Sequence, residues 1–498
     1  MELQKNRKTL RSIPQNANKS LPLLLFPAQS KAEEAWLTKL KKEKKIRKIG
    51  PRLYTSVAKA QEKAVVRSQW TQIVSQLYPE ALLSHRSALE FKASPESKII
   101  LTGTTNRQVV YPGLTLHFLR GPKAQPEDPQ FAGFRVSSAA RAYLENFSTT
   151  KVTRWQSLGI TELENKLESL LQVKGERSLN EIRDAARKIS QKLSWEKEFK
   201  KFDKMISALL GTRSNQSLKS PRAQARSRQR PFDFERVSRF DLLFATLKST
   251  SLPEFKENFQ GPNQFRNKAF IDAYFSNYIE GTIFEIEEAE EIIFGGKVPA
   301  DRPKDAHDIL GTFSIVSDPN EMKRRPHSFS ELEDLIKERH YTLMHNRPEV
   351  LPGKYKTKPN RAGDTHFVHP ENIEGTLEQG FQRYVDLPEG LARAIFIMFL
   401  ISEVHPFGDG NGRICRIMMN AELYSTKNST IIIPNVFRDD YISGLRALTR
   451  RDRPDPLIKM ITRAYKFSNL DFSVYKNTLK EIEVKNWFRE PSEAKLIE

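Results

Sequence analysis

Residues 390–416 constrain this 498-residue chain more than any other stretch: an apolar helix must stop there and a second must start almost at once. The run 390–404 is helical and apolar, and Pro406 blocks its continuation. Gly410 and Gly412 flank Asn411 and lead into a new helix over 413–424. A Gly-rich turn at a helix N-terminus aims several backbone N–H groups and the positive end of the helix dipole at one point. Phosphate is the usual occupant of such a site. Arg413 and Arg416 are three residues apart and share a helix face beside it. Asp409 offers one carboxylate, and one carboxylate plus phosphates is a common way to hold Mg²⁺. His405 titrates in a range suited to accepting a proton near neutrality. These residues describe a nucleotide-phosphate site with a metal, two cationic clamps and a base.

Composition narrows the setting. A single cysteine, Cys415, excludes a disulfide framework, a multi-cysteine zinc site and an iron–sulfur cluster. The longest apolar runs, 21–26 and 394–401, fall well short of the roughly 20 residues of a membrane-spanning helix. The N-terminal stretch 1–13 is basic, and no apolar segment with a small-residue cleavage site follows. The expectation is a cytoplasmic protein without a membrane partner. Charge is uneven: residues 1–250 carry 47 Lys and Arg against 23 Asp and Glu, net +24, and the remainder is net −4. Two functional units follow, and the basic one suits a polyanion such as DNA.

Local pattern places elements on both halves. Residues 31–42 read as a helix with Ala35, Trp36 and Leu40 on one face. The turn Gly50-Pro51 precedes a β-rich stretch at 53–57. Helix, strand, turn, strand is how a winged helix-turn-helix ends. A helix is expected over 58–78, short strands at 98–102, 108–111 and 114–119, and helix again over 161–210. Residues 211–231 are rich in Ser, Gln, Arg and Pro, and read as a flexible basic linker. After Phe232 the chain is mostly helical, with two short strands expected around the turn 359–364.

The segment His405-Pro406-Phe407-Gly408-Asp409-Gly410-Asn411-Gly412-Arg413-Ile414-Cys415-Arg416 resembles the Fic-family signature His-Pro-Phe-x-Asp/Glu-Gly-Asn-Gly-Arg-x-x-Arg at every fixed position. The resemblance extends over about 232–467. It implies transfer of AMP from ATP to a Ser, Thr or Tyr hydroxyl of a target protein. His405 would be the base and Asp409 the Mg²⁺ ligand. Gly410, Asn411 and Gly412 would cradle the phosphates, and Arg413 and Arg416 would bind them. Tyr441 would line the base pocket. The stretch 354–368 resembles the family's flap, an edge that takes the target backbone by β-addition, with Lys354, Tyr355, Lys356 and Phe367 as its contacts.

Residues 276–281, Ser-Asn-Tyr-Ile-Glu-Gly, resemble the family's inhibitory motif. Glu280 falls at a helix C-terminus, where the dipole disfavours an anion and a cationic partner is expected. The resemblance makes that partner Arg416, with Ser276 one turn earlier helping to fix the Glu. Within residues 15–200, pieces such as Trp36-Leu37-x-x-Leu40 and 84–91 resemble AbiE-type transcriptional regulators and antitoxins. The expected fold is therefore a multidomain α+β chain. A winged helix-turn-helix (1–58), a small α/β domain with a helical end (59–210) and the linker (211–231) precede an all-α Fic domain with a β-hairpin flap (232–470) and a tail (471–498). Three readings compete: an adenylyltransferase held back by Glu280, a DNA-binding regulator whose Fic module acts on itself, and AMP removal at the same site. Sequence leaves the target, the DNA sequence and self-association open.

Overall fold

A computed structural model describes residues 21–147, 155–212, 218–257 and 261–490. The chain divides into two compact units, 1–227 and 228–498.

The first unit opens with β1 (Leu24–Leu25), α1 (Lys31–Lys42), β2 (Arg47–Gly50) and β3 (Leu53–Thr55), the strands forming an antiparallel sheet in the order β1-β3-β2. Ser30 caps α1 by accepting from the Glu33 N–H, which satisfies one of the free donors of a first helical turn. The expected helix–strand–turn–strand order holds. A helix preceding α1 as its helix-turn-helix mate would have to come from residues 1–20, which lie outside the described residues, as does the basic stretch 1–13. The expected helix over 58–78 is broken at Gln69 into α2 (Glu62–Ser68) and α3 (Trp70–Leu77). Next come β4 (Leu82–Leu83), α4 (His85–Glu90), β5 (Lys98–Gly103), β6 (Arg107–Tyr111), β7 (Leu114–Arg120), β8 (Gln130–Phe131) and β9 (Phe134–Val136). These strands build a mixed sheet ordered β6-β7-β5-β4-β9-β8, with β5 parallel to β7 and Ile99 opposite Leu116. Leu24 and Leu53 are buried in the same core as Ile99, Leu101 and Leu116. The expected boundary at 58/59 is thus not a clean core boundary: Leu25, Leu37, Leu40 and Ile46 form a small cluster of their own, whereas Leu24 and Leu53 join the larger core.

The unit ends in α5 (Ala139–Phe147), α6 (Ile160–Leu193, interrupted at Gly175), α7 (Glu196–Leu209) and α8 (Pro221–Ser227). Residues 218–227 correct the expectation of a free linker. Leu218 and Ala223 are buried. Arg222 and Arg226 pair with the buried carboxylate of Glu168, and Glu164 accepts from the Lys219 and Ser220 N–H groups. The arginines that made the stretch look solvated are the partners of one buried glutamate, Glu168. Residues 213–217 lie outside the described residues.

The second unit holds α9 (Phe234–Ser249), α10 (Pro262–Ile279), α11 (Ile286–Gly295), α12 (Pro303–Val316), α13 (Pro319–Lys323), α14 (Phe329–Met344), the hairpin β10 (Arg361–Ala362) and β11 (Thr365–His366), α15 (Ile373–Val385), α16 (Leu391–Val404), α17 (Asn411–Ser425), α18 (Arg438–Arg451), α19 (Asp455–Phe467) and α20 (Tyr475–Val484). Among its described residues it is all-helical but for that hairpin and an isolated bridge between Lys256 and Asn428. Of the 14 residues of α16, all but Arg393 and Ser402 are buried, which is why the run carries no polar stripe. The expected tail is corrected in part: Phe472, Ile482 and Trp487 are fully buried, and Trp487 packs on Phe275 of α10 and Phe467 of α19. Three large apolar side chains in one short segment bind it to the core rather than leave it solvated. No helix among the described residues is long and apolar enough to cross a membrane.

Candidate active site

α16 ends where its sequence says it must. His405 takes a left-handed conformation (φ 54°) and Pro406 follows. Phe407 is fully buried and stacks flat on His340 of α14, with ring centroids 3.8 Å apart. His340 Nε2 lies 3.1 Å from the Asp409 carbonyl, and its Nδ1 accepts from the Gly353 N–H at 2.9 Å. The second bond places the proton on Nε2, and burial pushes this imidazole down to about 4. His340 thus braces the turn without titrating near neutrality. The Asn411 side chain closes the same turn, accepting from the Phe407 N–H at 2.9 Å and donating to the Phe407 carbonyl at 3.0 Å. That side chain is spent on the loop, leaving the backbone N–H as the group Asn411 can offer an anion. Gly410 (φ 76°) supplies the left-handed entry to α17 that a residue with a Cβ resists.

The base sits on this frame. His405 is half-buried, and Phe367 stacks on its ring at 3.7 Å. Its Nδ1 lies 3.3 Å from the Ser402 carbonyl, a contact that holds the proton on Nδ1 and leaves the Nε2 lone pair free. Burial, helped by the nearby Lys356 cation, pushes the imidazole down to about 4, while Glu280 and Asp409 pull weakly the other way. Glu280 favours the protonated form, so its removal cannot raise this value. We expect activity that needs neutral His405 to stay flat as pH falls from 8 to about 5 and to decline only near the imidazole's own value of about 4. An acid limb centred at 6.5 in a rate–pH profile would contradict this environment.

Three basic residues and their acids complete the site. Asp409 is about half exposed (47 % of its side chain). Its Oδ1 accepts from the Gly410 N–H at 2.7 Å, and its Oδ2 from Arg347 at 3.2 Å. Arg413 is buried and donates through Nη1 to Asp308 Oδ2 at 2.5 Å and to Asn277 Oδ1 at 3.3 Å. Arg416 donates through Nε to Ser276 Oγ at 3.0 Å, and through Nη2 to the Ser276 carbonyl at 2.7 Å and to Glu280 Oε1 at 2.8 Å. Burial opposes the Arg416 charge, and Glu280, aided by Tyr441 and Cys415, outweighs it and raises the guanidinium's pKa. Glu280 caps α10, and Gly281 (φ 92°) follows as the left-handed terminator that the sequence suggests. A Cβ placed on Gly412 would come within 2.1 Å of Glu280 Oε1. The carboxylate therefore lies over the first turn of α17, where an anion was expected.

Most sequence-selected residues converge here, with three differences. Ser276 touches Arg416 rather than Glu280. The first flap strand is Arg361–Ala362, not 354–356, because Lys356 is drawn inward. Its ammonium donates to the His405 carbonyl at 2.7 Å and to Asn360 at 2.6 Å, and burial pulls its pKa to about 7. Tyr355 donates to Glu333 at 3.1 Å, and Lys354 is exposed. Phe367 does reach the site, on the His405 ring. Tyr441 is buried with its hydroxyl 3.7 Å from Cys415 Sγ. Asp308, Asn277, Arg347 and His340 escaped the sequence reading. Asp308 lies 105 residues from Arg413, and nothing in its own helix marks it out. Among the described residues no three His, Cys, Asp or Glu gather as a metal cage. One half-exposed carboxylate fits an ion that arrives on a nucleotide's phosphates better than a resident ion.

Comparison with known proteins finds relatives over part of the chain. The sequence model of the Fic/DOC family matches residues 329–423. A Fido domain-containing protein of Dictyostelium discoideum is 31 % identical over 143 residues, covering 27 % of this chain and 96 % of the relative. A protein adenylyltransferase, fic-1, of Caenorhabditis briggsae is 24 % identical over 193 residues, 38 % of each chain. This chain thus spans well under half the length of that curated relative. Among solved structures, a Fic domain-containing signaling protein from Bacteroides thetaiotaomicron is similar at a TM-score of 0.37 and 19 % identity, covering 49 % of this chain and 97 % of that one.

Proposed function

Because this chain belongs to the Fic/DOC family, we propose that it transfers AMP from ATP to a Ser, Thr or Tyr hydroxyl of a target protein, and that Glu280 holds the activity back. The observation that carries the reading is the convergence on one helix N-terminus of a neutral imidazole, a backbone anion cradle and two buried arginines, each paired with a carboxylate. In the reaction, the target oxygen attacks the α-phosphorus of ATP, and its proton passes to His405 Nε2. The bond from that phosphorus to the bridging oxygen breaks, and pyrophosphate leaves. The cradle and the arginines fix the phosphates for in-line attack and neutralise developing charge, so catalysis comes from positioning. Asp409 would hold a Mg²⁺ ion that accompanies ATP and offsets charge on the phosphates. The hairpin 361–366 would present an edge to the target backbone, with Phe367 keeping the His405 ring aligned.

The test is transfer from ATP labelled at the α-phosphate, in lysate. Label on a protein in the Glu280→Gly chain, lost when His405 is also removed, supports the reading. Label confined to the chain itself favours self-modification, release of free AMP from a modified target favours removal, and no label with any variant overturns the proposal.

The basic first unit supports an accompanying role, binding of duplex DNA. Lys39, Lys41 and Lys42 of α1 and Arg47, Lys48 and Arg52 of the β2–β3 hairpin are all exposed. If these six meet phosphates, the logarithm of the association constant should fall against the logarithm of salt with a slope of about −5. Replacing Lys42 and Lys48 with Gln should flatten that slope by about 2, since each contact contributes about 1. No retention on DNA at low salt would remove this role.

A further inference from the structure

Arg413 is placed where a cation should not sit unaided. It belongs to the first turn of α17, where the helix dipole favours anions, and its side chain is 3 % exposed. A buried guanidinium needs an opposite charge with good geometry. Asp308 of α12, itself 2 % exposed, supplies it at 2.5 Å and takes Arg347 at the same distance on the same oxygen. Arg347 in turn reaches Asp409 at 3.2 Å. The chain Arg413–Asp308–Arg347–Asp409 thus runs from one expected phosphate ligand to the expected cation ligand through two residues with no role in the reading above.

The unused donors are as informative as the used ones. The strong bonds of Arg413 all leave from Nη1. Its Nη2 faces only the thioether of Met344 at 3.8 Å, and its Nε is buried without a hydrogen-bond partner among the described residues. An Nε/Nη2 edge that no oxygen occupies is the fork that takes two oxygens of one phosphate. Arg416 differs, since its Nε and Nη2 are already committed to Ser276 and Glu280.

We infer that Asp308 is a positioning residue: it grips one edge of Arg413 so that the other edge faces the nucleotide phosphates before ATP arrives, and Arg347 ties that setting to Asp409. This rests on the nucleotide reading above. A preset guanidinium surrenders less side-chain freedom on binding, which raises affinity without a new contact. The effect falls on nucleotides with β- and γ-phosphates and spares AMP.

The test uses the full chain with Glu280→Gly, and calorimetric binding of α,β-methylene ATP and of AMP with Mg²⁺ present. With Asp308→Asn, binding of the ATP analogue should weaken about tenfold, the loss of roughly one charge-assisted contact. AMP binding should stay within about twofold. If Asp308→Asn leaves Arg347 and Arg413 too repulsive for folding, Asp308→Asn/Arg347→Met restores the local charge and should show the same selective loss. Unchanged binding of the ATP analogue would overturn the inference. Equal losses for the two nucleotides would mark a merely structural role and overturn it too. A parent that binds neither nucleotide removes the reading beneath the inference and takes the inference with it.

Discussion

Glu280→Gly should raise AMP transfer by roughly ten- to a hundredfold. The carboxylate occupies the anion position over Gly412 and takes the Nη2 of Arg416, so a phosphate must displace it before that arginine can serve. A hydrogen bond to a charged group contributes about 1.5–3 kcal/mol, and each 1.4 kcal/mol is tenfold in an equilibrium. The Glu280 side chain is 31 % exposed, so solvent screening argues for the lower part of that range. Electrostatics and sterics act together, because Gly at 280 also clears the space over the first turn. The gain should appear in turnover with ATP saturating if, as proposed, the carboxylate blocks a productive phosphate pose rather than the whole pocket. A Glu280→Gln chain should be activated less, because the amide keeps the bulk and can still accept from Arg416. Equal turnover in wild type, Glu280→Gln and Glu280→Gly would show that the pair is not a brake.

Why this much was readable from sequence, and no more, follows from the range of the interactions involved. The turn between α16 and α17 is specified locally. Pro406 ends one helix, Gly410 permits the left-handed entry to the next, and Asn411 closes the loop four residues back, so twelve consecutive residues carry the site's frame. Strands β5, β6 and β7 were legible for the same reason, their alternation and turns being contained in about twenty residues. Glu280 was legible because a carboxylate at a helix C-terminus is a local electrostatic fault that asks for a partner. Asp308, Arg347 and His340 were not, since each is an ordinary polar residue on a helix or loop until folding sets it against residues 62 to 105 positions away. Lys356 misled for the related reason that a lysine beside a predicted hairpin looks solvated, whereas its ammonium is buried on the His405 carbonyl. Residues 218–227 misled because their arginines balance Glu168, and their backbone N–H groups satisfy Glu164, both on a helix more than fifty residues earlier.

Removing the base should cost still more than removing the brake gains. In the Glu280→Gly chain, His405→Ala should lower AMP transfer by about 10²–10⁴-fold, the usual contribution of a positioned general base. The imidazole is suited to that role by a neutral state that burial enforces, an Nδ1 proton held by the Ser402 carbonyl and a ring fixed by Phe367. A base with so low a pKa is a weak acceptor in the ground state. Its use lies late in the step, when the attacking hydroxyl has become acidic through bonding to phosphorus, so the loss should fall on turnover rather than on nucleotide affinity. Binding of ATP should therefore stay within about twofold in the variant, because the cradle at 410–412 and both arginines are untouched. Phe367→Ala offers the complementary reading. It leaves the imidazole in place but removes its stacking partner, so turnover should drop about tenfold, and the acid limb should move up from about 4 as the ring loses part of its burial. If His405→Ala retained full transfer, the proton would have to leave by another route. Lys356, whose ammonium burial has drawn down to about 7, would then be the group to replace next.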